Sequence, residues 1–179
     1  MAGEIAQVGS GVTGLSEGDL VLVDNRVKCG TCQPCLTGQD QYCLHQLRLG
    51  VDLDGGHAEY CKVPAINAYH FRPSMSYEEA AANTLAFHTA WHCLMVRGQL
   101  QPWESILIQA GGSGVGSAGI QIAKRIGARV ITTAGADDKL AKARELGADE
   151  VINYRDTPEF SSRVRELTEG QGVDMVLDV

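Results

Sequence analysis

The sequence predicts an α/β chain in two parts, a strand-rich N-terminal part pinned by a metal and a C-terminal doubly wound parallel sheet. Three observations carry this expectation. Four cysteines crowd into residues 29–43 between short apolar runs, and from residue 104 onward short apolar runs alternate with segments of helical period. The first of the strand-to-helix links in that second part is a string of glycines.

That link lies in Glu104 to Gly127, on which the C-terminal part is organised. Ser105 to Ala110 is an apolar run too brief for a helix and bounded by glycine, as a strand buried on both faces would be. Val115, Ala118, Gly119, Ile122, Ala123 and Ile126 then recur at helical spacing, and Gly127 closes the helix. A helix that opens directly after a glycine turn presents unpartnered N–H groups and the positive end of its dipole, which suits a diphosphate. Gly114 to Gly119 matches G-x-G-x-x-G literally but starts inside the helix. The register Gly111-Gly112-Ser113-Gly114-Val115-Gly116 is preferred, with Ser113 at the usual second-glycine position.

The alternation continues. Arg129 to Ala134 reads as a second strand, Asp137 as the cap of a helix to Leu146, Glu150 to Tyr154 as a third strand, Pro158 to Glu169 as a helix and Val173 to Val179 as a fourth strand. Strands and helices joined by short links imply parallel pairing with right-handed crossovers. At the end of the second strand, Ala134-Gly135-Ala136 offers no carboxylate for ribose hydroxyls. Lys139 stands in the first turn of the next helix, where a cation is unfavourable unless an anion lies nearby. A 2′-phosphate would be such an anion, so NADP(H) is expected over NAD(H), with Gly135 and Lys139 at its adenine end.

In residues 1–82 the expected strands are Gly3 to Gly9, Leu20 to Val23, and a hairpin of Leu47–Val51 with His57–Val63 around Asp54-Gly55. Cys29, Cys32, Cys35 and Cys43 follow a C-x2-C-x2-C-x7-C spacing. Four thiolates from one short lobe close a tetrahedral shell around Zn²⁺ with no open position, a structural site. Ferredoxin spacing differs, closing with three residues and a following proline. Cys61 and Cys93 read as inert core thiols, and His88 and His92, four apart, as packed or solvated side chains. Residues 83–103 connect the two parts. The helix feeding them opens on the capping box Ser76-Tyr77-Glu78-Glu79, with an interruption expected near Asn83-Thr84 and a stop at Pro102. The cofactor part then runs over 104–179.

Bulk properties narrow the partners. The 179 residues are 44% hydrophobic, enough for a buried core, and a net charge of −7 with 15 Lys and Arg leaves no basic stripe for a nucleic acid. No run reaches the length of a membrane span and the N-terminus carries no signal segment, so a cytosolic protein with a small-molecule substrate is expected.

The segments GEIAQVGSGV at 3–12, GDLVLVD at 18–24, the four cysteines, DGGHAEY at 54–60, HTAWHCL at 88–94, AGGSGVG at 110–116 and LGADEVINY at 146–154 occur in one order. In this the chain resembles the medium-chain dehydrogenase/reductase family, which includes zinc alcohol dehydrogenases and quinone oxidoreductases. The resemblance implies a partial GroES-like domain followed by a partial Rossmann domain, cut at both ends, with a possible homo-oligomer when intact. It also implies Thr89 near the nicotinamide. The catalytic zinc of alcohol dehydrogenases would take a cysteine and a His-Glu pair ahead of Gly3, and a third ligand where this chain has Leu85, which cannot bind metal. The tract AGGSGVGSAGIQIAK is more similar to the quinone and enone reductase branch. A quinone or enone reductase with structural zinc only is therefore expected, with zinc alcohol dehydrogenase as the alternative, and a non-catalytic zinc-stapled fragment as the reading for these residues alone. No catalytic residue is identified.

Overall fold

The structure, a computed structural model, describes residues 1–179. Two compact units divide the chain between Leu85 and Ala86, inside the expected connector.

In the first unit β1 (Ala2–Glu4), β2 (Leu20–Val23) and β5 (Ala68–His70) form an antiparallel sheet in the order β1-β2-β5. Val21 and Val23 point into its core, as the alternation of β2 requires. The strand expected over Gly3–Gly9 ends at Glu4, because beyond it only Ile5 keeps contact with the turn before β2: its amide donates to Asp19 O and its carbonyl accepts from Gly18 N. The expected hairpin of 47–51 with 57–63 does not form. Instead β4 (Leu47–Arg48) pairs with β3 (Arg26–Val27). The Asp52 carboxylate accepts from the Arg48 amide at 2.8 Å and from its guanidinium at 3.0 Å, and the amides of Asp52 and Leu53 donate to Arg48 O. That knot turns the chain before it can pair ahead.

The helix α2 (Tyr77–Trp91) opens on the expected reciprocal cap: Glu79 N donates to Ser76 Oγ at 3.1 Å and Ser76 N to Glu79 Oε2 at 2.9 Å. It runs through Asn83-Thr84 without interruption, since Thr84 is buried and returns its hydroxyl to Ala81 O within the helix. The change of pitch falls later, in a π-helical stretch His92–Arg97.

The second unit is a four-stranded parallel sheet, order β8-β7-β6-β9, from β6 (Ser105–Ile108), β7 (Arg129–Ala134), β8 (Glu150–Asn153) and β9 (Met175–Leu177). The helices α3 (Gly114–Ile126), α4 (Asp137–Glu145) and α5 (Phe160–Leu167) link them. One face of the sheet packs Ile106, Ile108 and Val130 against Ile120 and Ala123 of α3 and Ala143 of α4. The other packs Leu107, Ile131 and Ile152 against Val164 of α5, with Phe160 and Leu167 beside it, so the sheet is wound on both sides. Gly127 ends α3 with φ 105, in the left-handed region its sequence position suggested.

Candidate functional site

Two arrangements in the chain have the chemistry of a site. The first is the cysteine lobe. A four-residue helix, α1 (Gln33–Leu36), with Pro34 in its first turn carries Cys35, and a single 3₁₀ turn, Asp40–Tyr42, delivers Cys43. The four Sγ atoms all lie within 4.8 Å of one another, with Cys32–Cys35 at 3.4 Å, Cys32–Cys43 at 3.9 Å and Cys29–Cys35 at 4.0 Å. A tetrahedral ion with Zn–S bonds of about 2.3 Å spaces its sulfurs roughly 3.8 Å apart, so the donor set fits that ion. Backbone amides complete the cradle: Cys32 N points at Cys29 Sγ at 3.4 Å and Cys29 N at Cys43 Sγ at 3.3 Å. The amides of Thr31 and Cys32 bring the Cys29 thiol down to about 5, while burial and the adjacent Cys32 thiol push Cys35 up to about 12. Thiols this close cannot all ionise unless a cation holds them together. All six cysteines are free thiols; Cys93 packs against the second unit's core, whereas Cys61, expected in a core, is half-buried outside both apolar clusters with its thiol 4.0 Å from Asp54 O.

The second arrangement is the glycine turn at the carboxyl ends of β6 and β7. Ala110 takes φ +50, and the turn is held to β7 by Gly111 N donating to Thr133 O at 2.9 Å and Ala110 N to Thr133 Oγ1 at 3.3 Å. A Cβ on Gly111 would stand 2.2 Å from Thr132 Oγ1, whose hydroxyl already donates to Ile108 O at 2.7 Å. A Cβ on Gly116 would stand 2.3 Å from Ala110 O. Gly111 and Gly116 are therefore required by close approach, the first for the turn and the last for the fit of helix on strand. Gly114 has ordinary room, its nearest neighbour being Ala86 at 3.6 Å. These demands match the register that begins at Gly111. Ser113 caps α3, its Oγ accepting from Gly116 N at 3.0 Å. The amides of Gly114 and Val115 donate to no protein group and open toward solvent, the geometry an anion uses.

Around this turn the structure gathers most of the expected residues. The Lys139 side chain lies over Gly112, where a Cβ would come within 2.8 Å of its Cδ. Ala86 meets Gly114, which sets the α2 turn bearing Thr89 beside the start of α3. Gly135 lies under Tyr154: a Cβ there would meet the phenol oxygen at 2.4 Å. Tyr154 was not expected at the site. Its only sequence signal is its place directly after β8, at the same sheet end as Gly135. The expected cap of α4 is corrected, because Ala136 holds the cap position and Asp137 is the first helical residue. Asp137 Oδ1 instead accepts from Asn153 Nδ2 at 3.2 Å, across to the neighbouring strand end. No helix is long and apolar enough to cross a membrane.

Comparison with known proteins agrees with this geometry. Residues 1–73 match the family of alcohol dehydrogenase GroES-like domains and residues 114–179 that of zinc-binding dehydrogenases. The NAD-dependent alcohol dehydrogenase of Sulfolobus acidocaldarius is 35% identical over 99% of this chain and 51% of its own length. The L-threonine 3-dehydrogenase of Bacillus velezensis is 34% identical over 99% and 50%. A crystal structure of an NAD-dependent alcohol dehydrogenase superposes with TM-score 0.94 at 44% identity, covering 98% of this chain and 51% of that one. The alcohol dehydrogenase of Aeropyrum pernix superposes with TM-score 0.87 at 32% identity, covering 99% and 52%. The chain thus spans about half the length of the relatives it matches.

Proposed function

The chain belongs to the zinc-type alcohol dehydrogenases of the medium-chain dehydrogenase/reductase family, and on that premise we propose that it forms the nucleotide-binding and zinc-bearing part of an NADP(H)-dependent oxidoreductase. The observation that carries the proposal is the turn from Ala110 to Gly116, where two amides without a protein partner, those of Gly114 and Val115, stand at the head of α3, with Gly112 and Gly114 adding no side chain in front of them. A nicotinamide cofactor held here would supply or take the hydride. This chain's residues anchor the diphosphate at Gly112–Gly116, border the adenine end with Gly135 and Tyr154, and place Thr89 beside the turn.

Preference for the phosphorylated cofactor rests on charge. Neither Ala134, Gly135 nor Ala136 has a carboxylate, Asp137 is engaged by Asn153, and the Lys139 stem lies against Gly112 of the turn. The relatives named above as NAD-dependent make this a sharp test. Calorimetric titration of the chain should show NADPH binding more tightly than NADH, and Lys139→Met should cost roughly five- to tenfold in NADPH affinity while leaving NADH unchanged. Tighter binding of NADH by the unaltered chain would refute the preference.

The relatives, an alcohol dehydrogenase and an L-threonine 3-dehydrogenase among them, support an alcohol and its carbonyl as the substrate pair. Leu85 favours a second reading, reduction of a quinone or enone without a catalytic zinc, because leucine stands where the resemblance places a ligand. Metal analysis of the full-length protein separates them: two zinc ions per chain accord with the first reading, one with the second.

A further inference from the structure

The cysteine lobe has two arms. Cys29, Cys32 and Cys35 belong to one continuous arm, while Cys43 arrives separately on the 3₁₀ turn Asp40–Tyr42. Closing a four-thiolate shell requires the second arm to stay folded over the first. Besides the Cys32 and Cys43 sulfurs themselves, 3.9 Å apart, two contacts beside Cys43 join them. Cys29 N donates to Cys43 Sγ at 3.3 Å, and the Lys28 ammonium pairs with the Asp40 carboxylate. Cys43 N in turn donates to Asp40 O at 3.0 Å, so Lys28, Asp40, Cys43 and Cys29 form a closed ring of contacts around the fourth ligand. The ion-paired side chains are each only 35% exposed. A Zn²⁺ ion with four thiolates carries a net charge of −2, and Lys28 is the lobe's cation nearest to that charge on the sequence.

We propose that the Lys28–Asp40 pair is a latch that controls how fast the lobe releases its metal, by holding the Cys43 arm closed. The inference rests on the four-cysteine zinc site proposed above. The latch residues are positioning residues: neither ligates the ion. Removing one partner leaves the shell of ligands intact but lets the second arm open more often, so the release rate rises while the zinc content does not change.

The test uses the full chain loaded with Zn²⁺ and a chromogenic chelator in excess, reading the rate of zinc transfer. Lys28→Met and Asp40→Asn should each speed release roughly two- to fivefold, the range of a modest ion pair. The exchanged pair Lys28→Asp with Asp40→Lys should restore the original rate. Raising ionic strength should accelerate release from the unaltered chain and leave both single variants unmoved. Equal rates in all four proteins at one zinc per chain would overturn the latch while leaving the zinc site standing. Failure of the unaltered chain to bind zinc would overturn both. Circular dichroism of the zinc-loaded variants guards against unfolding, and if a single variant proves unfolded the salt dependence of the unaltered chain decides alone.

Discussion

At the scale of single residues, the glycine turn separates positions that look alike in the sequence. Gly114 and Gly116 both sit in the first turn of α3, yet only Gly116 faces a backbone oxygen within 2.3 Å of where a Cβ would be. Backbone cannot swing aside as a side chain can. Gly116→Ala is therefore expected to destabilise the chain by roughly 1–3 kcal/mol and to abolish most NADPH binding. Gly114→Ala should hold or gain stability, by up to about 1 kcal/mol, since alanine is the better helix former and the space is open. Denaturant midpoints and calorimetric titration of the two variants check this pair. The register at Gly111 is read from spacing, and the turn, the cap at Ser113 and the helix start that accompany it are all local features. Tyr154 over Gly135 was not legible, since their meeting depends on β8 lying beside β7.

At the scale of elements, the end of α3 is tied to the start of β8 by one carboxylate. Asp149 accepts both Lys124 Nζ contacts, at 2.8 and 2.9 Å, and the Val130 amide at 2.7 Å. Burial alone would raise its carboxyl, but the Lys124 ammonium and the Val130 amide outweigh it and hold the group below its usual value of 3.8. A carboxyl depressed by folding contributes stability above that value and loses it as pH falls further. Asp149→Asn should cost about 1 kcal/mol at pH 7, discounted for partial exposure. As pH falls through the lowered folded-state value the difference from the unaltered chain should shrink toward zero, as paired urea titrations at descending pH would show. Elements with local signals, such as α3 with its glycine end and α2 with its capping box, were readable in advance. Those that depend on a distant partner were not. β4 took β3 rather than the residues ahead of it, because Asp52 turns the chain on Arg48 first.

At the scale of the whole molecule, the two units are stabilised by different means. The second has a continuous apolar core on both faces of its sheet, whereas the segment 29–43 contains no buried residue at all. Its order depends on whatever the thiols bind. Stripping metal with a chelator should expose 29–43 to proteolysis while the parallel sheet keeps its far-ultraviolet signal; cleavage within α3 or β7 instead would contradict this division of labour. The overall class was legible because both halves announce themselves by composition, thiols in one and alternating runs in the other. The order of strands in the sheet carries a further consequence, for the time course of assembly. β6 meets β7 across a separation of 24 residues but meets β9 across 69. Closing the wider loop costs more chain entropy and yields only three paired positions. The glycine turn, lying between β6 and β7, can thus take shape early, while β9 docks as a latecomer onto a surface already built.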